Sequence, residues 1–585
     1  MPAPAFWSPE FDYERRADGT VIMRQRGPLP DHWPVLADYL DHWAETAPDR
    51  TWLARRAPGG GDWQRISYAD ARARARSLGA GLLSLGLGPE RPLLILSENS
   101  LEHGVLGLAC AYVGIPFAPL SPAYSLVSED HGKLKDIAAT LNPGAIFADD
   151  GAAFERACAA ISAPDRAVIN ARNPIAGAME LSDLPGDPVK TDPARAALTS
   201  ETVLKYLFTS GSTGSPKAVI NTNGMVCAMQ AMVRDCYRFL TEKPPVVLDW
   251  APWNHTAAGN KVSYLVLTNG GTYYIDDGRP VPGKFGETLR NLRELSCTWY
   301  FNVPVGWDML IREIEVDPAL AEVFFRDLGM MFYAGAGMAQ HTWDRLRAAG
   351  RKATGREVLL ATGLGATETA PFALACTEVQ EKSGNVGVPS RGLALKLVPN
   401  GGKLEARLKG PTITPGYFGD PEKTAEAFDD EGFYCLGDAL RPADPEDFSK
   451  GFFFDGRIAE NFKLTTGTWV AVGSVRAALV DAMGGLVADA VIVGENEAEL
   501  GALLVLTDAG RNADPAQEQE RLAAAAKAAT GSAARVRRAL VLTEPPSFDA
   551  GEATEKGSLN QRKLRETRAA EIIRLYKGGN GVFRV

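Results

Sequence analysis

The chain has 585 residues, 45% of them hydrophobic and 23% charged, so it is too long for one hydrophobic core and is typical of a folded protein with two or more domains. A net charge of -10 disfavours nucleic acid or an anionic membrane as a partner, since either would need a basic face. The seven cysteines and six histidines lack zinc-binding spacing, and the odd cysteine count indicates reduced thiols. With no signal-peptide pattern and no apolar run of about 18 residues, a soluble, cytoplasmic protein without a zinc site is expected.

Short apolar runs alternate with helical patterns through about the first 450 residues. The run LEHGVLGLACAYVG predicts a helix, and several apolar runs that stop at polar turns predict buried strands. Strands that alternate with helices indicate an α/β fold with mostly parallel sheets covered on both faces. The predicted strands are RPLLILSEN (91–99), IPFAPL, PGAIFADD (143–150), VVLDWAP (246–252) and TYYIDD (272–277).

A segment rich in Pro, Asp and Gly, RPADPEDFSKGFFFDG (441–456), predicts turns and separates this region from a smaller unit. The smaller unit has strand patterns at ADAVIVG, LGALLVLT and RALVLT, with a long Ala-rich helix between the last two. We therefore predict a domain boundary near residue 458, between a large N-terminal α/β domain and a smaller C-terminal α/β unit.

The stretch YLFTSGSTGSPK (206–217) predicts a loop that follows a strand and is built from Thr, Ser and Gly. Glycines let backbone N–H groups approach an anion, hydroxyls donate further hydrogen bonds, and Lys217 adds positive charge, which together suit a polyphosphate. The spacing is not that of a Walker P-loop. The alternative is a flexible Gly/Ser surface linker, although a linker needs neither the preceding strand nor the Pro-Lys pair.

Three later stretches carry further polar groups beside glycine turns. In LLATGLGATETAP (359–371), Glu368 is a candidate Mg²⁺ ligand with Thr367 as a hydroxyl donor, because Mg²⁺ is usually held by one or two carboxylates plus phosphate oxygens. The alternative for Glu368 is a carboxylate at a helix N-terminus. Asp438 in CLGDAL could accept from a ribose hydroxyl, and FDGRIAENFKLTTGTWV (454–470) carries Arg457 and Lys463 at the predicted domain boundary.

The order of these four stretches resembles that of the adenylate-forming superfamily of acyl-CoA synthetases, peptide-synthetase adenylation domains and luciferases. The family pattern [YF]TSG[ST]TGxPKG is matched from Phe208 to Lys217, with Ala218 replacing the last glycine. YGxTE appears as LGATE, with Leu364 replacing the aromatic residue; TGD appears as LGD; and GRxDDxxKxxG appears as GRIAENFKLTTG. The resemblance covers about residues 35–575 and implies the adenylate-forming fold, with ATP, Mg²⁺ and coenzyme A as its small molecules.

The resemblance also implies roles for individual residues. Lys556, Glu368, Thr367 and His255 are the catalytic group, and Glu368 is the metal ligand. ATP and AMP would be bound by Thr209, Ser210, Gly211, Ser212, Thr213, Gly214, Lys217, Gly335, Ala336, Gly337, Leu364, Gly365, Thr367, Asp438 and Arg457. The acid pocket would be lined by Trp253, Asn254, His255, Tyr333 and Gly337, although His255 could instead be structural. The channel for coenzyme A would use Lys463, Thr466, Gly467 and Trp469.

Finer features resemble those of the bacterial feruloyl-CoA synthases, which activate ferulate and related hydroxycinnamates such as p-coumarate and caffeate. They are SPAYSLVSEDHGKL (121–134), the FKLTTGTWV run and EKGSLNQRKL (555–564). The last departs from the usual PKTxxGKxxR segment by placing Ser558 where the lysine belongs. The catalytic lysine is then predicted to be Lys556, with Lys563 as the alternative. The resemblance also implies a large N-terminal domain over residues 1–457, a hinge at 458–460 and a small, mobile C-terminal α+β domain over 461–585. The hinge departs from the family pattern, since Ala459 stands where most relatives have Asp or Lys.

Three functions are compatible with these patterns. The first is a ligase that joins an aryl acid to coenzyme A, with another aryl acid or a medium-chain acid as an alternative substrate. The second loads an acid onto a carrier protein. The third is a non-catalytic nucleotide-binding homologue, against which the intact TSGSTGSPK loop argues. The expected partners are small molecules and a second copy of the chain in a homodimer.

Overall fold

Three of the predicted apolar strands lie in a central, mostly parallel sheet. The computed structural model describes residues 9–210, 216–376, 378–554, 559–579 and 581–585. Leu93–Leu96 is buried along its whole length, as a strand covered on both faces should be, and pairs in parallel with the strands on either side. The strands lie in the order Pro216–Thr222, Val203–Ser210, Phe117–Pro119, Leu93–Leu96, Ala145–Asp150, Ala167–Arg172 and Met179–Glu180.

Two further sheets complete the α/β part of the chain. The mixed sheet contains two of the predicted strands, and the small parallel sheet lies next to it in the chain. Both follow the predicted alternation of strands with helices, so the α/β prediction is confirmed for this region. The mixed sheet orders Val246–Asp249, Thr272–Ile275, Thr51–Arg56 and Trp63–Ser67; the small parallel sheet orders Trp299–Asn302, Met330–Tyr333 and Leu359–Ala361.

An antiparallel sheet, which the sequence analysis did not anticipate, unites the N-terminal strands with the segment that precedes the predicted hinge. Its strands are joined mostly by turns rather than helices, and glycines with positive φ, such as Gly401, form the tight connections. The order is Phe11–Arg15, Val21–Gln25, Ala394–Asn400, Lys403–Lys409, Tyr434–Pro442, Phe452–Arg457, Asn385–Pro389, Leu374–Ala375 and Gly363–Leu364.

Helices cover the sheets and leave the ends of the parallel strands free for loops. The predicted helix in LEHGVLGLACAYVG is present as Leu101–Val113, capped by the Ser100 hydroxyl and ended by Gly114 in the left-handed region. The other α-helices up to residue 460 are Leu36–Thr46, Tyr68–Ser84, Ala123–Leu126, Gly132–Leu141, Gly151–Ala160, Asp192–Ala196, Asn223–Cys236, Ser263–Thr268, Phe285–Glu294, Pro304–Val316, Pro318–Arg326, Gln340–Thr354 and Pro421–Glu426.

Shorter helical turns fill several connections. Ala257–Val262 is a π-helix, a rare form that is often found at functional sites. The 3₁₀ turns are Leu181–Asp183, Pro188–Thr191, Arg238–Thr241, Thr367–Thr369, Phe448–Lys450 and Ile458–Glu460. In the described ranges, no helix combines the length and apolarity that crossing a bilayer requires.

The chain beyond residue 460 has its own sheets and its own hydrophobic cluster. A hairpin of Phe462–Lys463 and Trp469–Val470 precedes a C-terminal sheet ordered Val487–Val493, Leu500–Leu506, Val536–Val541 and Val582–Arg584. The cluster includes Val472, Leu479, Ile492, Leu504 and Leu522. The helices of this part are Val472–Ala482, Asp508–Arg511, Pro515–Ala528, Gln561–Thr567 and Ala569–Lys577.

Candidate active site

The phosphate-loop candidate begins and ends on two antiparallel strands of the central sheet. Thr209 pairs with Lys217 and Ser210 with Pro216, so the loop leaves and returns at the same edge. Gly211, Ser212, Thr213 and Gly214 lie outside the described residues. The Lys217 ammonium lies 4.8 Å from the centroid of the Tyr417 ring, within cation–π range.

Glu368 contacts the same tyrosine through the Tyr417 hydroxyl. It lies in the Thr367–Thr369 turn and is only 8% exposed. Tyr417 Oη donates to Glu368 Oε1 at 3.0 Å, and burial followed by the Glu368 charge holds the pKa of the tyrosine above its ordinary value. The backbone is tied as well, since Thr414 N donates to the Glu368 carbonyl at 2.8 Å. Tyr417 therefore links Lys217 to Glu368.

Asp438 and Arg457 are neighbours on adjacent strands of the antiparallel sheet. Arg457 Nε lies 3.7 Å from Asp438 Oδ1, and the arginine side chain is largely exposed. Burial raises the pKa of the Asp438 carboxyl to about 6; Arg457 opposes the shift, and the charges of Glu460 and Glu368 add to it. Tyr434, on the same strand as Asp438, has its Oη 3.5 Å from Tyr417 Oη, so this strand contacts the tyrosine that binds Glu368.

The Glu368 carboxylate is also a candidate ligand for Mg²⁺. Its carboxylate is partly covered and is oriented by Tyr417. Within the described ranges, no cluster of three or more His, Cys, Asp or Glu side chains could hold a metal by itself. A single carboxylate fits an ion that is completed by phosphate oxygens and water.

The loop that follows the strand Met330–Tyr333 is exposed. Gly335, Ala336 and Gly337 are exposed, and a Cβ added to Gly337 would meet nothing within 4 Å. Gly335 has a φ of 90°, which favours glycine. By contrast, a Cβ at Gly365 would lie 1.9 Å from the Pro371 carbonyl oxygen, so this glycine is required for the close approach of two backbone segments. Leu364, the residue before Gly365, is half-buried.

Two of the predicted pocket residues are instead engaged in the core. Tyr333 is 1% exposed, its ring packs edge-on against Trp343, and its hydroxyl accepts from Gly384 N at 2.8 Å. Trp253 is 7% exposed and donates through Nε1 to Tyr273 Oη at 3.0 Å. Both rings are packed and hydrogen-bonded, and their contact with an acid stays a prediction.

His255 and Asn254 are half-buried in the turn before the π-helix. Ala257 N donates to His255 Nδ1 at 3.3 Å, which leaves Nε2 as the protonated nitrogen of a neutral ring. Beneath this turn is a cavity of about 50 Å³ lined in part by Trp253, His103 and Lys205. This volume is too small for an aryl acid.

The predicted channel residues form the hairpin tip after residue 460. Lys463, Thr466, Gly467 and Trp469 are exposed, and the Lys463 ammonium lies 4.9 Å from the Trp469 ring centroid. The indole rests against the turn between two strands of the antiparallel sheet, where a Cβ on Gly401 would lie 3.5 Å from it. The structure thus brings this hairpin to the large region, but against Gly401 rather than Glu368.

Lys556 lies outside the described residues, although the chain on both sides of it is described. Phe548 packs near Tyr124, and its carbonyl accepts from Lys133 Nζ at 2.9 Å. Ala553 and Leu559 form an antiparallel bridge, which closes the two ends of the segment 555–558. The alternative, Lys563, is partly exposed on Gln561–Thr567, with Nζ 3.8 Å from Glu566 Oε2.

Sequence reasoning missed several residues that the structure brings to the site. Tyr417 lies 49 residues from its partner Glu368, so no local pattern could associate them. Lys261, Phe332 and Phe372 cluster between the π-helix and the chain around Glu368. Lys261 did leave a signal, because it is one charge within the otherwise uncharged stretch from residue 256 to 275.

Two family models match this chain. The model of the AMP-binding enzyme family matches residues 40–418, and that of the AMP-binding enzyme C-terminal domain matches residues 463–580. The chain therefore belongs to the AMP-binding enzyme family.

Named relatives support the family assignment, although their sequence identity to this chain is low. A feruloyl-CoA synthase from Amycolatopsis sp is 26% identical over 386 residues, which cover 64% of this chain and 70% of that protein. A 3-hydroxybenzoate–CoA ligase from Aromatoleum sp. (strain CIB) is 24% identical over 490 residues, 79% of this chain and 84% of that protein. The crystal structure of ATP-bound MatB from Rhodopseudomonas palustris matches with a TM-score of 0.66 and 22% identity, over 91% of this chain and 98% of that chain.

Proposed function

We propose that this protein is an ATP-dependent acid–CoA ligase that acts on ferulate and related hydroxycinnamates, including p-coumarate and caffeate. The observation that carries the proposal is that Tyr417 contacts both the Lys217 ammonium and the buried Glu368 carboxylate, in a chain that the AMP-binding enzyme model matches. The names of the relatives support an aryl acid as the substrate. Another aryl acid, a medium-chain acid or a carrier-protein acceptor is the alternative.

In the first half-reaction, a substrate carboxylate oxygen attacks the α-phosphorus of ATP and pyrophosphate leaves. The obstacle is repulsion between two anions, so positioning and charge neutralisation should supply most of the catalysis. The loop from Thr209 to Lys217 would hold the β- and γ-phosphates, Thr367 the α-phosphate, and Asp438 with Arg457 the ribose. Glu368 would hold Mg²⁺, which supplies positive charge to the phosphate oxygens.

In the second half-reaction, the thiol of coenzyme A attacks the acyl-AMP carbonyl and AMP leaves. The segment 458–460 would act as the hinge for a rotation of residues 461–585. That rotation would withdraw Lys556 and bring the hairpin with Lys463, Thr466, Gly467 and Trp469 to the acyl-AMP. A rotation of this kind often limits turnover.

Two assays test the proposal. Exchange of labelled pyrophosphate into ATP is expected with a hydroxycinnamate and would be absent from a non-catalytic homologue. Thioester formation with coenzyme A is then compared across ferulate, p-coumarate, benzoate and octanoate, and the hydroxycinnamates are expected to dominate. A preference for benzoate or octanoate would refute the substrate assignment, and adenylate without thioester would favour a carrier-protein acceptor.

Replacing Tyr417 by phenylalanine is expected to lower pyrophosphate exchange about 10-fold, with the larger change in KM for MgATP. The substitution keeps the ring against Lys217 and removes the hydroxyl's hydrogen bond to Glu368 together with its long contact to the Tyr434 hydroxyl at 3.5 Å; bonds to charged groups contribute about 1.5–3 kcal/mol. Tyr206→Phe is the matched control, because that buried ring packs against the neighbouring Phe418. An equal loss in both variants would contradict the role of the Tyr417 hydroxyl.

Replacing Trp469 by alanine is expected to lower thioester formation from supplied acyl-AMP about 3- to 10-fold, because an aromatic contact contributes about 0.5–1.5 kcal/mol. Adenylate formation should stay within about twofold of the original protein. Phe454→Ala is the matched control, since Phe454 is 50% exposed and Trp469 is 47% exposed. Loss of adenylate formation in Trp469→Ala would contradict a role of the hairpin that is confined to the second half-reaction.

A further inference from the structure

Lys261 is a buried lysine with an apolar environment. It lies on the π-helix Ala257–Val262 and is 4% exposed. Its ammonium is 3.6 Å from the centroid of the Phe332 ring, 4.7 Å from that of Phe372 and 5.5 Å from that of Trp299. Among the residues that the structure describes, no carboxylate lies within ion-pairing distance of it.

The other buried lysines show what a structural role requires. Lys205 Nζ donates to the Gly259 carbonyl at 2.6 Å, and Lys396 Nζ pairs with Asp429 at 2.9 Å. Lys261 has the faces of aromatic rings in place of such an oxygen. Ring faces attract a cation but do not accept its N–H groups as an oxygen does, so the burial of Lys261 is only partly offset. Burial lowers the pKa of Lys261 to about 7, as it does that of Lys205, so the missing oxygen partner and not the pKa distinguishes Lys261.

The location of this lysine connects it to the site. Phe332 lies on the strand Met330–Tyr333, which leads into the open loop at Gly335–Gly337. Phe372 is four residues after Glu368, in a segment fixed by the hydrogen bond from Ala373 N to the Leu364 carbonyl. The Lys261 ammonium therefore lies where the strand before the open loop and the segment after the candidate metal ligand meet. A group with an oxygen that entered here would complete its hydrogen bonding.

We propose that Lys261 is a specificity-determining residue, whose Nζ binds a ring hydroxyl at the end of the acid remote from the reacting carboxylate. This inference rests on the proposed function, because it assumes that the acid lies beside Phe332 and Phe372. The flat aromatic walls favour an aryl ring over an alkyl chain. A hydroxyl suits this lysine in either protonation state, since it accepts from an ammonium and donates to an amine, whereas a carboxylate suits only the ammonium.

The experiment compares kcat/KM for adenylate formation with 4-hydroxycinnamate, cinnamate and 4-carboxycinnamate. The original protein is expected to prefer 4-hydroxycinnamate to cinnamate by at least about 30-fold, because sites that hydrogen-bond a substrate hydroxyl discriminate strongly against its absence. Lys261→Met should reduce that ratio to about threefold or less, chiefly because kcat/KM for 4-hydroxycinnamate falls. Lys261→Gln, which keeps a donor, should give an intermediate ratio.

Several outcomes would overturn the inference. An unchanged ratio in Lys261→Met, or an equal loss with both acids, would make Lys261 a packing residue. A preference of the original protein for 4-carboxycinnamate would identify a carboxylate as the bound group instead of the hydroxyl. If Lys261→Met fails to fold, calorimetry measures the affinities of the original protein for 4-hydroxycinnamate and for cinnamate. A ratio of these two affinities below about threefold refutes the inference. If no acid supports pyrophosphate exchange, the proposed function itself fails, which is a distinguishable result.

Discussion

Replacing Glu368 by glutamine is expected to lower pyrophosphate exchange by about 10²–10³, the loss typical when one charged or dipolar stabiliser of a transition state is removed. The amide keeps the size of the side chain and can still accept from Tyr417, so the packing around the 8%-exposed position should survive. What disappears is the negative charge that would hold Mg²⁺ against the phosphates. The measurement is exchange at increasing Mg²⁺ concentration, where the variant should need more ion and still reach a lower plateau.

The matched control is Glu405→Gln. Glu405 is also buried, at 7% exposure, and lies on Lys403–Lys409 of the antiparallel sheet. It pairs with Arg407 at 3.2 Å, so its substitution tests the general cost of losing a buried carboxylate in this region. Its thermal stability is expected to fall while exchange remains within about twofold. If Glu368→Gln matches the original protein at every Mg²⁺ concentration, Glu368 is not the metal ligand.

The predicted strands show what a local pattern can establish. Uninterrupted apolar runs such as Leu93–Leu96 are buried on both faces in a parallel sheet, and this chemistry is visible in a few consecutive letters. The phosphate-loop candidate is similar, because its two strands are adjacent in the chain and pair at Thr209 and Lys217. The strand before the loop was predicted from consecutive letters and is present as Val203–Ser210, while the phosphate-binding role of the loop stays a prediction.

The residues that sequence reasoning missed depend on long-range contacts. Tyr417 joins Glu368 only because the chain returns through Thr414, whose N–H bonds to the Glu368 carbonyl. The orientation of the Trp253 side chain likewise depends on a hydrogen bond to a residue outside its local sequence, the Tyr273 hydroxyl. The antiparallel sheet pairs Val21–Gln25 with Ala394–Asn400, across more than half of the chain. Such pairings are chosen by the whole core rather than by local preference.

The small unit after residue 460 adds a contact that bears on the catalytic lysine. Phe548 packs near Tyr124, Lys133 binds the Phe548 carbonyl, and Glu129 N donates to Asp549 Oδ2 at 3.2 Å. Glu552 is buried with Arg568, 2.8 Å from Oε1 to Nε, which anchors the other side of the same loop. The segment that leads to Lys556 is thus held between the two parts of the chain.

Replacing Lys556 by alanine is expected to lower adenylate formation by about 10²–10³ while thioester formation from supplied feruloyl-AMP stays near that of the original protein. The lysine would stabilise charge that develops only when the acid attacks ATP, so the second half-reaction should not need it. Single-turnover release of pyrophosphate measures the first half-reaction, and thioester formation from the synthetic adenylate measures the second.

Lys563→Ala is both the matched control and the competing assignment. Lys563 is on a helix, 3.8 Å from Glu566, so its substitution should remove a surface ion pair worth about 0–1 kcal/mol and leave both half-reactions within about twofold. A selective loss of adenylate formation in Lys563→Ala, with Lys556→Ala unaffected, would move the catalytic role to Lys563. A parallel loss of both half-reactions in Lys556→Ala would instead indicate that residue 556 is needed for the stability of the protein. Only the split between the half-reactions assigns catalysis to Lys556, because a packing defect has no reason to spare the thiol step.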